Sequence, residues 1–128
     1  MVDTKLIINI KVKRADLSGT LLEEAKRIIE QTKAYQKLED SQIKGLERVI
    51  LKRDKTFILE FLDDKIKKWK EKTTDFGEQI KEILENNIDN WCNEIMNSFP
   101  KLNREIVWLS LTREFMGYLS GWYQINKK

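Results

Sequence analysis

A chain of 128 residues, 41% hydrophobic and 35% charged, carries apolar material for one domain and excludes a multidomain reading. Its 24 Lys and Arg against 21 Asp and Glu give a net charge of +3, far from the dense positive charge of a nucleic-acid-coating tail. With no histidine and Cys92 as its only cysteine, the chain lacks the groups for a His-dependent triad, a His-based ribonuclease, a Cys/His zinc site, a Cys-x-x-Cys redox pair or an intrachain disulfide.

Five Gly and one Pro leave few interruptions, and apolar residues recur mostly at three and four, which predicts an all-α fold. The expectation is one compact domain over 1–128, a bundle of about five helices from residue 19 preceded by an extended basic arm over 1–18. The arm is read from Leu6, Ile8, Ile10 and Val12 alternating with Lys5, Asn9, Lys11 and Lys13, the period-two pattern of a half-buried strand. With no second strand nearby, such an arm packs on the helices, pairs with a partner's edge, or frays.

The first helix is expected to open at Thr20, with Glu23 completing a capping box after Gly19, and to run to about Tyr35. Leu21, Leu22, Ala25, Ile28 and Ile29 form its buried stripe. Asp40 or Ser41 caps a second helix with Ile43, Leu46, Val49 and Ile50 on one face, and Gly45 there calls for a closely packed neighbour. A third spans about Thr56 to Lys72, with Ile58, Leu62, Ile66 and Trp69 for the core and Phe57 and Phe61 widening the stripe. The fourth starts on Asp75 and Glu78 at capping-box spacing and ends at Pro100. Asn103 caps the last, in which Ile106, Val107, Trp108, Leu109, Leu111, Phe115, Met116, Tyr118, Leu119, Trp122 and Tyr123 leave little polar surface. Such a helix is buried centrally or lies in an interface.

Few residues invite chemistry. Glu60, Asp63 and Asp64 share a helix face at a spacing open to a divalent metal, but Lys67 and Lys68 at i+4 favour an ion-pair ladder. Cys92 falls in the apolar register between Ile88 and Ile95, where a thiol acts as a small hydrophobe. Gly117 and Gly121 lie within a helix and not in a phosphate loop, so they read as close packing inside the bundle or a subunit contact. The expectation is therefore no catalytic residue, no metal, no cofactor and no enzyme. No apolar run, Leu6-Ile7-Ile8 being typical, approaches the roughly 20 residues that span a bilayer, and with no signal-peptide profile a cytoplasmic protein is expected.

Charge is distributed unevenly. Residues 44–72 carry ten basic and six acidic side chains, whereas 73–99 carry Lys81 alone against Asp75, Glu78, Glu82, Glu85, Asp89 and Glu94. The second and third helices and the basic arm can thus track a nucleic-acid backbone, or simply present solvated faces; a membrane surface fits the third helix less well because acids intersperse it. The backbone-contacting set is Lys44, Arg48, Lys52, Arg53, Lys67, Lys68 and Lys70. The subunit-contact set is Trp108, Phe115, Gly117, Tyr118, Gly121 and Trp122.

Two segments resemble a known family. Leu38-Glu39-Asp40-Ser41-Gln42-Ile43-Lys44 resembles the Leu-Thr-Thr-Ser-Gln-Leu-Arg stretch that opens a helix in the small α-helical subunits of type III CRISPR effector complexes. Thr112-Arg113-Glu114-Phe115-Met116-Gly117-Tyr118-Leu119-Ser120-Gly121-Trp122 is similar to the terminal helix of related small subunits, Thr-x-Glu-x-x-x-Tyr-Leu-x-Trp, with one extra residue between Leu119 and Trp122. The resemblance implies a noncatalytic subunit of an antiviral ribonucleoprotein. Such a subunit stacks with its neighbours along guide and target RNA, holding backbones through basic side chains while other subunits cut. The alternative is a protein-interaction module, such as a viral or plasmid inhibitor or adaptor, with no nucleic-acid role.

Overall fold

An apolar stripe repeating at three and four is stable only where another element covers it, and in this chain the last helix provides the common cover. The computed structural model describes residues 4–72 and 75–127, with side chains over 17–72 and 75–127. Its elements are α1 (Thr4–Thr32), the single turn α2 (Ala34–Lys37), α3 (Asp40–Lys52), α4 (Lys55–Trp69), α5 (Phe76–Glu82), a π-helical turn (Ile83–Asn87), α6 (Ile88–Ser98) and α7 (Arg104–Lys127). Among the described residues there is no strand. With α5, the π turn and α6 forming one continuous rod, the bundle has the five long helices that periodicity predicts.

The amino-terminal region differs from expectation. From Thr4, the first described residue, α1 passes through Gly19 and Thr20 unbroken, so residues 4–18 of the expected extended arm are helical and the Thr20 capping box is not used. A strand needs an edge to pair with, and lacking one, the backbone closes its hydrogen bonds within the segment. The facing of Leu6, Ile8, Ile10 and Val12 lies outside the described residues. α1 also stops at Thr32, short of Tyr35, because Lys33 adopts the left-handed conformation (φ 55°) that more often employs Gly to end a helix.

Around α7, Trp108, Leu111, Thr112, Phe115, Met116, Leu119 and Tyr123 are buried. α1 lies parallel to it: the Ser18 hydroxyl donates to Glu114, and about two turns further along both helices Lys26 sits over the Trp122 ring. α3 runs antiparallel on another side, where Arg113 Nε donates to the Ile50 carbonyl at 3.1 Å and the Tyr123 hydroxyl to the Leu38 carbonyl at 2.6 Å. α6 covers a third side, with Arg104 reaching Asn93 at 3.0 Å. The π turn belongs to this packing: Ile88 N–H reaches back to Ile83 and bypasses the Leu84 carbonyl, which instead accepts the Trp108 indole N–H at 3.1 Å. Trp108 and Phe115, expected at a subunit contact, are therefore core residues, 0% and 1% exposed.

The glycines also sort differently from expectation. A Cβ at Gly45, Gly117 or Gly121 would meet nothing within 4 Å among the described residues, so close packing inside the bundle does not account for them. Gly77 is where two helices need the missing side chain: a Cβ there would stand 2.7 Å from Ile66 Cγ1 and 3.3 Å from Ile66 Cα, on α4.

Two stability predictions follow from this packing. Gly77→Ala should destabilise by about 1–3 kcal/mol through overpacking, whereas Gly117→Ala and Gly121→Ala should each stabilise by about 0.5–1 kcal/mol, as read by urea unfolding. Trp108→Phe should cost about 1–3 kcal/mol, since it keeps an aromatic ring but strands the buried Leu84 carbonyl. A thermal melt of Trp108→Phe matching the parent would remove that bond from the account.

Candidate nucleic-acid interface

Because Ile43, Leu46 and Ile50 turn inward, the opposite arc of α3 is left to water. Lys44, Arg48 and Lys52 stand exposed on that arc, four residues apart, a spacing of about 6 Å along the helix. None of the three forms an ion pair with a described residue. Asp40, one turn before Lys44, is placed to neutralise it at i+4, but Lys127 at the end of α7 holds the Asp40 carboxylate at 2.6 Å. The hydrogen bond from Lys127 holds the Asp40 carboxyl below the ordinary carboxylate range, with the Lys44 charge adding a smaller push the same way. The same bond raises the Lys127 ammonium.

At the end of α3 the chain turns sharply, and Asp54 caps α4 by accepting the Phe57 N–H at 2.9 Å. The turn lays the Arg53 guanidinium over the Phe57 ring, 3.5 Å from its centre. One helical turn on, Lys65 lies over Phe61 at 5.4 Å. The far end of the α3–α4 seam is fastened by Gln42, whose Oε1 accepts from Trp69 Nε1 at 3.2 Å and Lys65 Nζ at 3.5 Å.

The structure splits the sequence-predicted basic set. Lys44, Arg48, Lys52 and Arg53 belong to α3 and its carboxy-terminal cap. Lys67 and Lys70 instead line a groove of about 650 Å³ between α4 and α5, beside Glu78, Glu82 and Glu85. Lys68 pairs with Asp64 at 3.0 Å, as the ladder reading expects, whereas Asp63 pairs with Lys81 across the groove instead of with Lys67. On α7, Gly117 and Gly121 are exposed, and Tyr118 and Trp122 are half-buried.

Among the described residues, no three His, Cys, Asp or Glu side chains come together as a metal site, and no helix is long and apolar enough to cross a membrane. Cys92 is buried, and burial pushes its thiol up to about 11, leaving almost no thiolate near neutral pH. Sequence reasoning missed Phe57, Lys65, Asp54 and Lys127 as parts of this face. The Asp54-to-Phe57 and Arg53-to-Phe57 spacings were readable, but the reach of Lys127 to Asp40 exists only in the folded chain. No protein-family model matches the chain, and neither does any curated protein or solved structure.

The Asp40–Lys127 contact predicts a pH response with a definite sign. The Asp40 contribution to stability is present above the ordinary carboxyl value and is lost as pH falls through its lowered folded value. The Lys127 contribution is present below the ordinary lysine value and is lost as pH rises through its raised folded value. An NMR titration of the Asp40 carboxyl should give a midpoint below that of an exposed aspartate, and Lys127→Met should bring it back toward the ordinary value.

Proposed function

We propose that the chain is a noncatalytic RNA-binding subunit of a ribonucleoprotein, of the kind that lines guide and target RNA in type III CRISPR effectors and stacks against its neighbours. One observation carries the reading: Lys44, Arg48 and Lys52 form an exposed one-per-turn row in which none forms an ion pair with a described residue. A row of cations at about 6 Å intervals matches what a phosphate backbone offers, a repeating negative charge contacted without reference to base identity. The two segments resembling small-subunit helices are consistent with it, since Asp40 to Lys44 opens α3 and Thr112 to Trp122 forms much of α7.

The stacking half of the proposal draws on the outer side of α7. Gly117 and Gly121 are open there, and Ile106 and Ile125 are 65% and 61% exposed. The same exposed isoleucines favour the second reading, a protein-interaction module whose partner covers α7 and for which RNA plays no part.

Binding of labelled RNA at two salt concentrations separates the readings. Under the first, affinity falls steeply with salt, and each of Lys44→Glu, Arg48→Glu and Lys52→Glu weakens binding for all sequences alike, flattening the salt slope by about one unit per lost contact. Charge reversals that leave affinity unchanged, or change it for a single RNA sequence, would falsify the backbone-tracking role.

A further inference from the structure

We infer that the seam between α3 and α4 takes single-stranded RNA, with an unpaired base stacking on the Arg53–Phe57 pair while the α3 row holds phosphates. The inference rests on the RNA-binding reading and adds to it the strandedness of the ligand and the residues that sense it.

Phe57 is the first ground. It is half-buried, yet it is absent from the apolar residues packed on the core, unlike Phe61 and Leu59 on the same helix. Its ring is instead covered by Arg53, whose guanidinium lies 3.5 Å from the ring centre. Arg53 is exposed, and a planar guanidinium above a ring can take a second flat group on its other side. Aromatic rings and guanidinium planes are the surfaces on which proteins seat the splayed bases of single strands.

Charge and room are the second ground. Lys52 directly precedes Arg53, Arg48 lies one turn before Lys52, and on α4 Lys65 lies over Phe61. The α3 row thus leads up to the platform, and Lys65 adds a cation about two turns further along α4, complementary to a strand whose phosphates run along the seam. Gly45 leaves the α3 side open, since a Cβ there would meet nothing within 4 Å among the described residues. Phe57 and Phe61, one helical turn apart, set two cation-covered rings about 6 Å apart along α4. A duplex keeps its bases stacked inside and would use only the charges.

The test uses the full chain and three labelled probes: a short RNA oligomer, the same oligomer with its bases removed at central positions, and its duplex form. The parent protein should bind the intact strand about tenfold more tightly than the abasic one, a difference of about 1.4 kcal/mol. Arg53→Lys keeps the charge and loses the plane, so it should lose about tenfold on the intact strand, leave the abasic and duplex affinities unchanged, and keep the salt slope. Equal affinity of the parent for intact and abasic strands, or preference for the duplex, overturns the stacking site. A steep salt slope on all three probes with no loss in Arg53→Lys overturns it too, while leaving the backbone reading intact. Absence of salt-dependent binding to every probe defeats the underlying reading and this inference with it.

Discussion

A helix with apolar residues over most of its circumference must be surrounded, and α7 is that helix: burying Trp108, Leu111, Phe115, Met116, Leu119 and Tyr123 at once needs cover from α1, α3 and α6 together. The requirement is polar as well as apolar, because the Trp108 indole and the Tyr123 hydroxyl are carried inside and each needs an acceptor. Both find main-chain carbonyls where the backbone leaves regular α-helix. Leu38, between α2 and α3, accepts from Tyr123, and Leu84, within the π turn, accepts from Trp108. At about 1 kcal/mol net each, these bonds add little to stability, but leaving either group unmade would cost more. Two breaks in helical regularity thus sit where the central helix needs acceptors.

The same dependence explains which parts of the fold were legible. α3, α4 and α7 follow from periodicity because each has a partner for its stripe, and Asn103 caps α7 as its position implies, accepting the Ile106 N–H at 3.1 Å. Pro100 falls just after α6 in the same way. The amino terminus was not legible, since its alternation fits a strand only if an edge exists elsewhere. Nor was the break at Lys33, where a left-handed residue ends α1 without the Gly that usually signals it. Glycine spacing misled as a sign of close packing inside the bundle, for a related reason. The pair Gly117 and Gly121 borrows its meaning from helices packed face to face, whereas Gly77 matters because Ile66 arrives from another helix.

The candidate site shows the same division. Lys44, Arg48 and Lys52 share an arc of one helix, so helical spacing alone collects them. Lys67 and Lys70 have a similar local pattern, but α5 brings Glu78 and Glu82 and the π turn brings Glu85 beside them, and no spacing within α4 reveals that. Lys55 of α4 meets Asp89, whereas Asp63 of α4 takes up Lys81, the one basic side chain of residues 73–99. On α3, Lys44, Arg48 and Lys52 form no ion pair with a described residue, and Lys127 holds the Asp40 carboxylate that stands one turn before Lys44.

That arrangement sets how an anionic strand would meet the protein. At physiological ionic strength the screening length is about 8 Å, shorter than the roughly 12 Å that three cations at one-per-turn spacing span. The row therefore acts as three near-contact sites and not as one long-range field, and binding through it alone weakens steeply with salt. Stacking on Arg53 and Phe57 has no such dependence, because dispersion and the loss of apolar surface from water are not screened. A face that combines both draws a strand in by charge and retains it by contact. The contact lies at the end of the row and not along it because Arg53 is the first residue beyond α3, where the turn into α4 brings the Phe57 ring beneath the guanidinium. The short connection between two antiparallel helices, closed by the Asp54 cap, thereby fixes the geometry of the platform as well as the path of the chain.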